Sequence, residues 1–270
     1  MNKTIISLIV TAVLLSPIVC PDVHAQADSA CTEGNCVNGK GTSVFPNGDK
    51  YIGQHKNGVK NGQGTFIIAN GTKYEGQWKD GVKNGQGSIA FPNGAKYSGQ
   101  WKNDKPNGQG TYTSRDGEKY SGRFIDGTMD GRGEKTFTSG HKYSGDFSND
   151  KIQGNGIMIY PNGDKYEGQW KDSGREGTGT MIFKNGNKFT GQWKGDKPEG
   201  RGTMNFSDGR IFSGQWINGK ANGEGTMTYT NGERYEGQWK DDSKDGQGTY
   251  YYPDGRKESG RWKEGKKVDQ

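Results

Sequence analysis

The pattern Tyr-x-Gly-x-Trp returns every 23 residues without an insertion, and that register leaves the fold little freedom. Its first position falls at Tyr51, Tyr74, Tyr97, Tyr120, Tyr143, Tyr166, Phe189, Phe212, Tyr235 and, in degenerate form, Glu258. The fifth position holds His55, Trp78, Trp101, Phe124, Phe147, Trp170, Trp193, Trp216, Trp239 and Trp262, so all seven tryptophans share one slot. A fixed period of this length marks a repeat architecture, in which each unit buries its apolar face only against its neighbours.

Each unit reads as a β-hairpin. In Lys165-Tyr166-Glu167-Gly168-Gln169-Trp170-Lys171 the residues alternate, so Tyr, Gly and Trp share one face and the polar residues share the other. A second strand is expected after Gly-x-Gly, with apolar residues two and four positions beyond it, as at Phe66 and Ile68 or Met181 and Phe183. Asn-Gly, as in Pro92-Asn93-Gly94, then supplies a hairpin turn. Forty of the 48 glycines occupy these recurring places. Leu8, Leu14 and Leu15 are the only leucines, which removes the commonest helix-core residue from everything downstream. Thirty aromatic residues exclude a disordered chain, and a hydrophobic share of 27% is too small for a large globular core. The expectation is an all-β, elongated, single-layer array of about ten 23-residue antiparallel hairpins, on the order of 90 to 100 Å long at roughly 4.8 Å per strand.

Residues 1–25 carry Lys3, an apolar run from Ile5 to Val19 and the small-residue ending Val23-His24-Ala25, which reads as a secretory signal peptide cleaved after Ala25. The run is shorter than the roughly 20 residues of a spanning helix, so no transmembrane segment is expected in the mature chain. Export makes a disulfide between Cys31 and Cys36 plausible, with Gly34-Asn35 as the turn, and unpaired thiols as the alternative. The segments are then residues 1–25 as signal, 26–50 as an N-terminal cap and half-repeat, 51–265 as the array and 266–270 as a tail. The expected location is periplasmic or secreted, with membrane association as a further option.

The unit Tyr-Glu-Gly-Gln-Trp-Lys-Asp-Gly, followed by Gly-x-Gly-Thr and Asn-Gly, resembles the MORN (membrane occupation and recognition nexus) repeat. The match is complete at Tyr74, Gly76 and Trp78, at Tyr166, Gly168 and Trp170, and at Tyr235, Gly237 and Trp239. The resemblance implies serial β-hairpins and a binding, scaffolding or self-associating role, with lipid binding proposed for some members. His55, Glu258, Phe124, Phe147 and Lys135 depart from the pattern and are expected to weaken the groove at the ends and around repeats four and five.

No catalytic constellation, metal cluster or cofactor motif emerges. His55 and His141 are isolated, and a phosphate-binding Gly-x-Gly needs a helix that this chain does not offer. The turn after the first strand alternates between glycine, at Gly81, Gly127, Gly219 and Gly265, and aspartate, at Asp104, Asp150, Asp196 and Asp242. This hints at a 46-residue doublet, although both residue types suit a turn.

Two surfaces are candidates for binding. The first is an exposed aromatic face comprising Tyr74, Trp78, Tyr97, Trp101, Tyr166, Trp170, Phe189, Trp193, Phe212, Trp216, Tyr235 and Trp239, expected to bind a protein partner or a second copy. The second is a basic row at Lys73, Lys96, Lys119, Lys142, Lys165 and Lys188, suited to anionic phospholipid. Cell-wall glycan on the aromatic face is a third option, and a net charge of only +6 on an exported chain argues against nucleic acid. The functional expectation is a non-catalytic binding or scaffold protein of the cell envelope.

Overall fold

A computed structural model describes residues 29–268. The expected leader, with its cleavage point after Ala25, lies outside these residues, as do the last two residues of the tail. The described residues contain no helix and form 22 strands assigned to one sheet, with every described pairing antiparallel. Contacts divide the chain between Lys151 and Ile152 into two units. Inside each unit the strands follow chain order, each paired with its sequence neighbours, as the repeat period requires.

The repeat beginning at Lys73 shows how the sequence makes a hairpin. Lys73–Lys79 is joined to Val82–Ala90 by Asp80-Gly81, both at positive φ (49° and 86°), which is a two-residue turn of the kind that matches strand twist. The tight turn is therefore not at Asn-Gly. Phe91-Pro92-Asn93-Gly94-Ala95 makes a wider connection instead, closed by Phe91 N to Ala95 O and Gly94 N to Phe91 O, both 2.9 Å. The second strand also starts earlier than the sequence suggests. Gly85 and Gly87 lie inside it, and Gly85, at φ 101°, forms a bulge where the register shifts between Gly76 and Trp78.

That bulge sets up the central feature of the sheet. Gly76 stands opposite Gly87, and Gly87 opposite Gly99, so one glycine per strand lines up across the sheet. The column runs from Gly41 to Gly145 in one unit and from Gly156 to Gly260 in the other. Tyrosine requires it. The Tyr74 ring folds over this bare backbone and its hydroxyl donates to Gln77 O at 3.0 Å, so a Cβ on Gly76 would sit 2.6 Å from that hydroxyl. The same arrangement recurs at Tyr51, Tyr97, Tyr166 and Tyr235.

Tryptophan completes the layer. Trp78 Nε1 donates to Gly64 O at 3.2 Å, in the preceding repeat, and Trp101, Trp170, Trp193, Trp216 and Trp239 do the same to their own preceding glycines. The rings then alternate edge to face, with Tyr74 meeting Trp78 at 5.1 Å and Trp101 at 5.2 Å. Each such pair contributes about 1 kcal/mol beyond area burial.

Candidate functional site

The aromatic face is not exposed. Tyr74, Tyr97, Tyr166, Phe189, Phe212 and Tyr235 are at most 1% accessible, and Trp78, Trp101, Trp170, Trp193, Trp216 and Trp239 lie between 3% and 7%. Sequence alternation correctly places these rings on one face. It does not reveal that they lie down over glycine and cover one another, which lets a single sheet bury its own apolar side. What remains half-exposed is the residue that opens each wide loop, including Phe91, Phe137, Phe183, Phe206 and Tyr229.

The residues that depart from the repeat pattern are better accommodated than expected. Phe124 and Phe147 stay 3% exposed and keep the edge-to-face contacts with Tyr120 at 5.1 and 5.0 Å. Lys135 pairs with Glu118 at 2.5 Å and sits 4.9 Å over the Phe137 ring. At the N-terminal end His55 Nε2 meets Ser43 Oγ at 3.0 Å, and burial lowers the His55 pKa. At the other end Lys267 Nζ pairs with Glu258 Oε1 at 2.7 Å and its side chain lies over Gly260, where other repeats place a ring. These polar pairs close the ends of the packed layer, a role that terminal repeats commonly fill. Cys31 and Cys36 are joined by a disulfide beside the first hairpin.

A slot that the sequence pattern does not mark faces the tryptophan position of each repeat across the tight turn. It holds Lys60, Lys83, Pro106, Met129, Arg175, Pro198, Ala221 and Lys244, opposite His55, Trp78, Trp101, Phe124, Trp170, Trp193, Trp216 and Trp239. Lys83 is 3% exposed, with its ammonium 5.6 and 5.5 Å over the Tyr74 and Trp101 rings and 3.6 Å from Asp104. Arg175 stacks 4.6 Å over Trp193 and its Nε lies 3.1 Å from Asp196. Lys60 is 8% exposed and 4.6 Å over both Phe66 and Trp78, and burial brings its pKa down to about 8.

The turn aspartates belong to this slot. Asp104, Asp150, Asp196 and Asp242 accept the backbone N–H of Lys83, Met129, Arg175 and Ala221, each 21 residues upstream, at 2.8 to 2.9 Å. Where the slot holds Pro106 or Pro198, which have no N–H, the partner turn holds Gly127 or Gly219. At these six slots the turn residue follows a hydrogen-bond requirement, legible as residue pairs 21 apart, whereas Gly81 and Gly265 face Lys60 and Lys244, which carry an N–H.

The basic row lies on the opposite face. Lys73, Lys96, Lys119, Lys142 and Lys188 are exposed, and Lys165 is half-buried. Lys73 and Lys165 are paired along their own strands with Glu75 and Glu167, at 2.6 and 2.9 Å. Lys96, Lys119 and Lys142 have Ser98, Ser121 and Ser144 at the corresponding position. Among the described residues no group of three or more His, Cys, Asp or Glu could hold a metal ion, and no helix is long and apolar enough to cross a membrane.

No curated protein matches the chain. Among solved structures it is similar to the TCP10 domain of Danio rerio CPAP in complex with a peptide of STIL, at 12% identity and TM-score 0.45, covering 87% of this chain and 99% of that one. It is also similar to the TCP domain of Drosophila melanogaster SAS-4 in complex with a proline-rich motif, at 15% identity and TM-score 0.34, covering 66% and 90%. Ten MORN repeats match in succession, from residues 38–50 through 120–142 and 166–188 to 235–255. With the aromatic-glycine unit opening nine of them, from Tyr51 to Tyr235, the chain belongs to the MORN repeat family.

Proposed function

We propose that this protein is a non-catalytic scaffold of the cell envelope that holds a protein partner, or a second copy of itself, on the aromatic side of its sheet. The observation that carries this reading is the half-exposed row at the loop openings, such as Phe183, Phe206 and Tyr229, standing beside a ring layer that is already packed. Aromatic side chains that are part apolar and part accessible suit protein contacts. The envelope assignment rests on the leader-like first 25 residues and on the Cys31–Cys36 disulfide.

The test is affinity capture from envelope extract with residues 26–270 against a variant carrying Phe183→Ser, Phe206→Ser and Tyr229→Ser. A protein retained by the first bait and lost from the second supports the reading. Equal retention by both rejects this surface. A second reading is favoured by Lys96, Lys119 and Lys142, which are exposed and have serine where Lys73 and Lys165 have a pairing glutamate. That row would attract anionic lipid, and binding to phosphatidylglycerol vesicles that falls steeply with salt is its signature.

A further inference from the structure

The cross-repeat pattern at the tight turns is broken at two places. In six of the slots described above, a residue with a backbone N–H faces a turn aspartate, or a proline faces a turn glycine. Lys60 and Lys244 do neither. Each carries an N–H and an ammonium, yet the turn residues 21 positions on are Gly81 and Gly265, whose N–H groups donate to Lys60 O and Lys244 O at 2.9 Å. Among the described residues no carboxylate lies within ion-pair distance of either Nζ, and no side chain accepts from either backbone N–H.

Both ammonium groups are nonetheless held in place. Lys60 Nζ lies 4.6 Å over Phe66 and Trp78, and Lys244 Nζ lies 4.6 to 5.4 Å over Tyr250, Tyr235, Trp262 and Tyr229. The carboxylates that bear on Lys60 are occupied elsewhere. Asp104 serves Lys83, and Asp49 accepts from Ala69 N and Asn47 Nδ2. Beside each lysine, a Cβ on Gly81 or Gly265 would meet no atom within 4 Å.

We propose that Lys60 and Lys244 are two receptor sites for a carboxylate supplied from outside the chain, the side chain of an aspartate or glutamate in an acidic partner segment. The molecule contains the template for this contact. At Lys83 a single aspartate oxygen takes both the backbone N–H, at 2.9 Å, and the ammonium, at 3.6 Å. An incoming carboxylate at Lys60 or Lys244 meets the same two donors, and a preorganised charge-assisted contact of this kind is stronger than a neutral one. The aromatic floor fixes the cation before the ligand arrives, which reduces the ordering cost of binding. The proposal rests on the protein-binding reading above and adds the chemical group that the partner must present.

The probe is N-acetyl-aspartate N-methylamide, titrated onto residues 26–270 at low chloride while the amide resonances of Lys60 and Lys244 are followed by NMR, with inorganic phosphate as a parallel arm. Saturable shifts at both amides with the aspartate probe are expected. Gly81→Asp should weaken the Lys60 response about tenfold by occupying the site from within, leaving Lys244 unchanged, and Gly265→Asp should do the converse. The backbone accepts the change, because Asp104, Asp150, Asp196 and Asp242 sit at the equivalent position with φ of 64° to 70°. No saturable shift, an unchanged Lys60 response in Gly81→Asp, or tighter saturation by phosphate would overturn the carboxylate assignment. A captured partner held equally by native protein and by the Gly81→Asp, Gly265→Asp double variant would also overturn it, while leaving the scaffold reading intact.

Discussion

Lys83 and Asp104 exchange two hydrogen bonds across the boundary between repeats. Lys83 N donates to Asp104 Oδ1 at 2.9 Å, and Asp104 N donates to Lys83 O at 3.1 Å. The same carboxylate faces the Lys83 ammonium, whose side chain is only 4% exposed. Asp104→Gly keeps a turn residue that other repeats use but leaves that ammonium buried without its counter-ion, at a cost of about 3 kcal/mol. Asp150→Gly removes the equivalent bond to Met129 N and no ion pair, at about 1 kcal/mol. Urea unfolding of the two variants side by side measures the difference, and Lys83→Met in the Asp104→Gly background should recover most of it.

Glycine substitutions should separate into two classes. Gly179→Ala drives a Cβ into the Tyr166 ring and should cost more than 2 kcal/mol, because neither backbone nor ring can withdraw. Gly127→Ala, where a Cβ meets nothing within 4 Å, carries only the strain of a positive φ of 95°, about 1 kcal/mol. Thermal melts that rank the two equally would contradict the ring-over-glycine packing.

Stability should pass through a maximum in mild alkali. Lys60 titrates near 8 when folded and near 10.5 when not, so between those values the unfolded chain holds the extra proton and stability climbs with pH. Tyr51, Tyr97, Tyr120, Tyr143 and Tyr166 are pushed by burial above their ordinary 10.0, and Tyr235 to about 12. Their contribution is complete below pH 10 and is lost above it, as the unfolded chain releases protons that the folded chain keeps. Melting temperatures should therefore rise from pH 8 toward 10 and then fall. Lys60→Met should remove the rise and leave the fall.

Reduction of Cys31–Cys36 should loosen only the first hairpin. The bridge closes a short loop, so its contribution is local. Hydrogen exchange should accelerate in residues 30–44 of the Cys36→Ser variant and stay unchanged from Tyr51 onward, since repeat arrays lose structure unit by unit.

The 23-residue register makes the strands, the shared face of Tyr74 and Trp78, and the glycine positions legible in the sequence. Three things were hidden. Period-two alternation says which side a ring is on but not that Tyr74 bends back to reach Gln77 O, so a buried layer and an open one share the same sequence pattern. Turn propensity says that Asp104 and Asn93 both suit a turn, but not which turn is tight, because either can adopt the needed φ. The slot at Lys60 leaves no motif, because Lys, Pro, Met, Arg and Ala alternate there and no one residue type holds it throughout.

The bonds from tryptophan to glycine carbonyl give the array a direction. Trp78 reaches back to Gly64, Trp101 to Gly87 and Trp193 to Gly179, and the turn aspartates likewise take the N–H of a residue 21 positions earlier. Each hairpin brings its own anchor and looks for its acceptor behind it. A chain that emerges N-terminus first, from the ribosome or on the far side of a membrane, therefore offers every new hairpin a finished surface to dock on, and the order of emergence becomes the order in which the sheet is laid down.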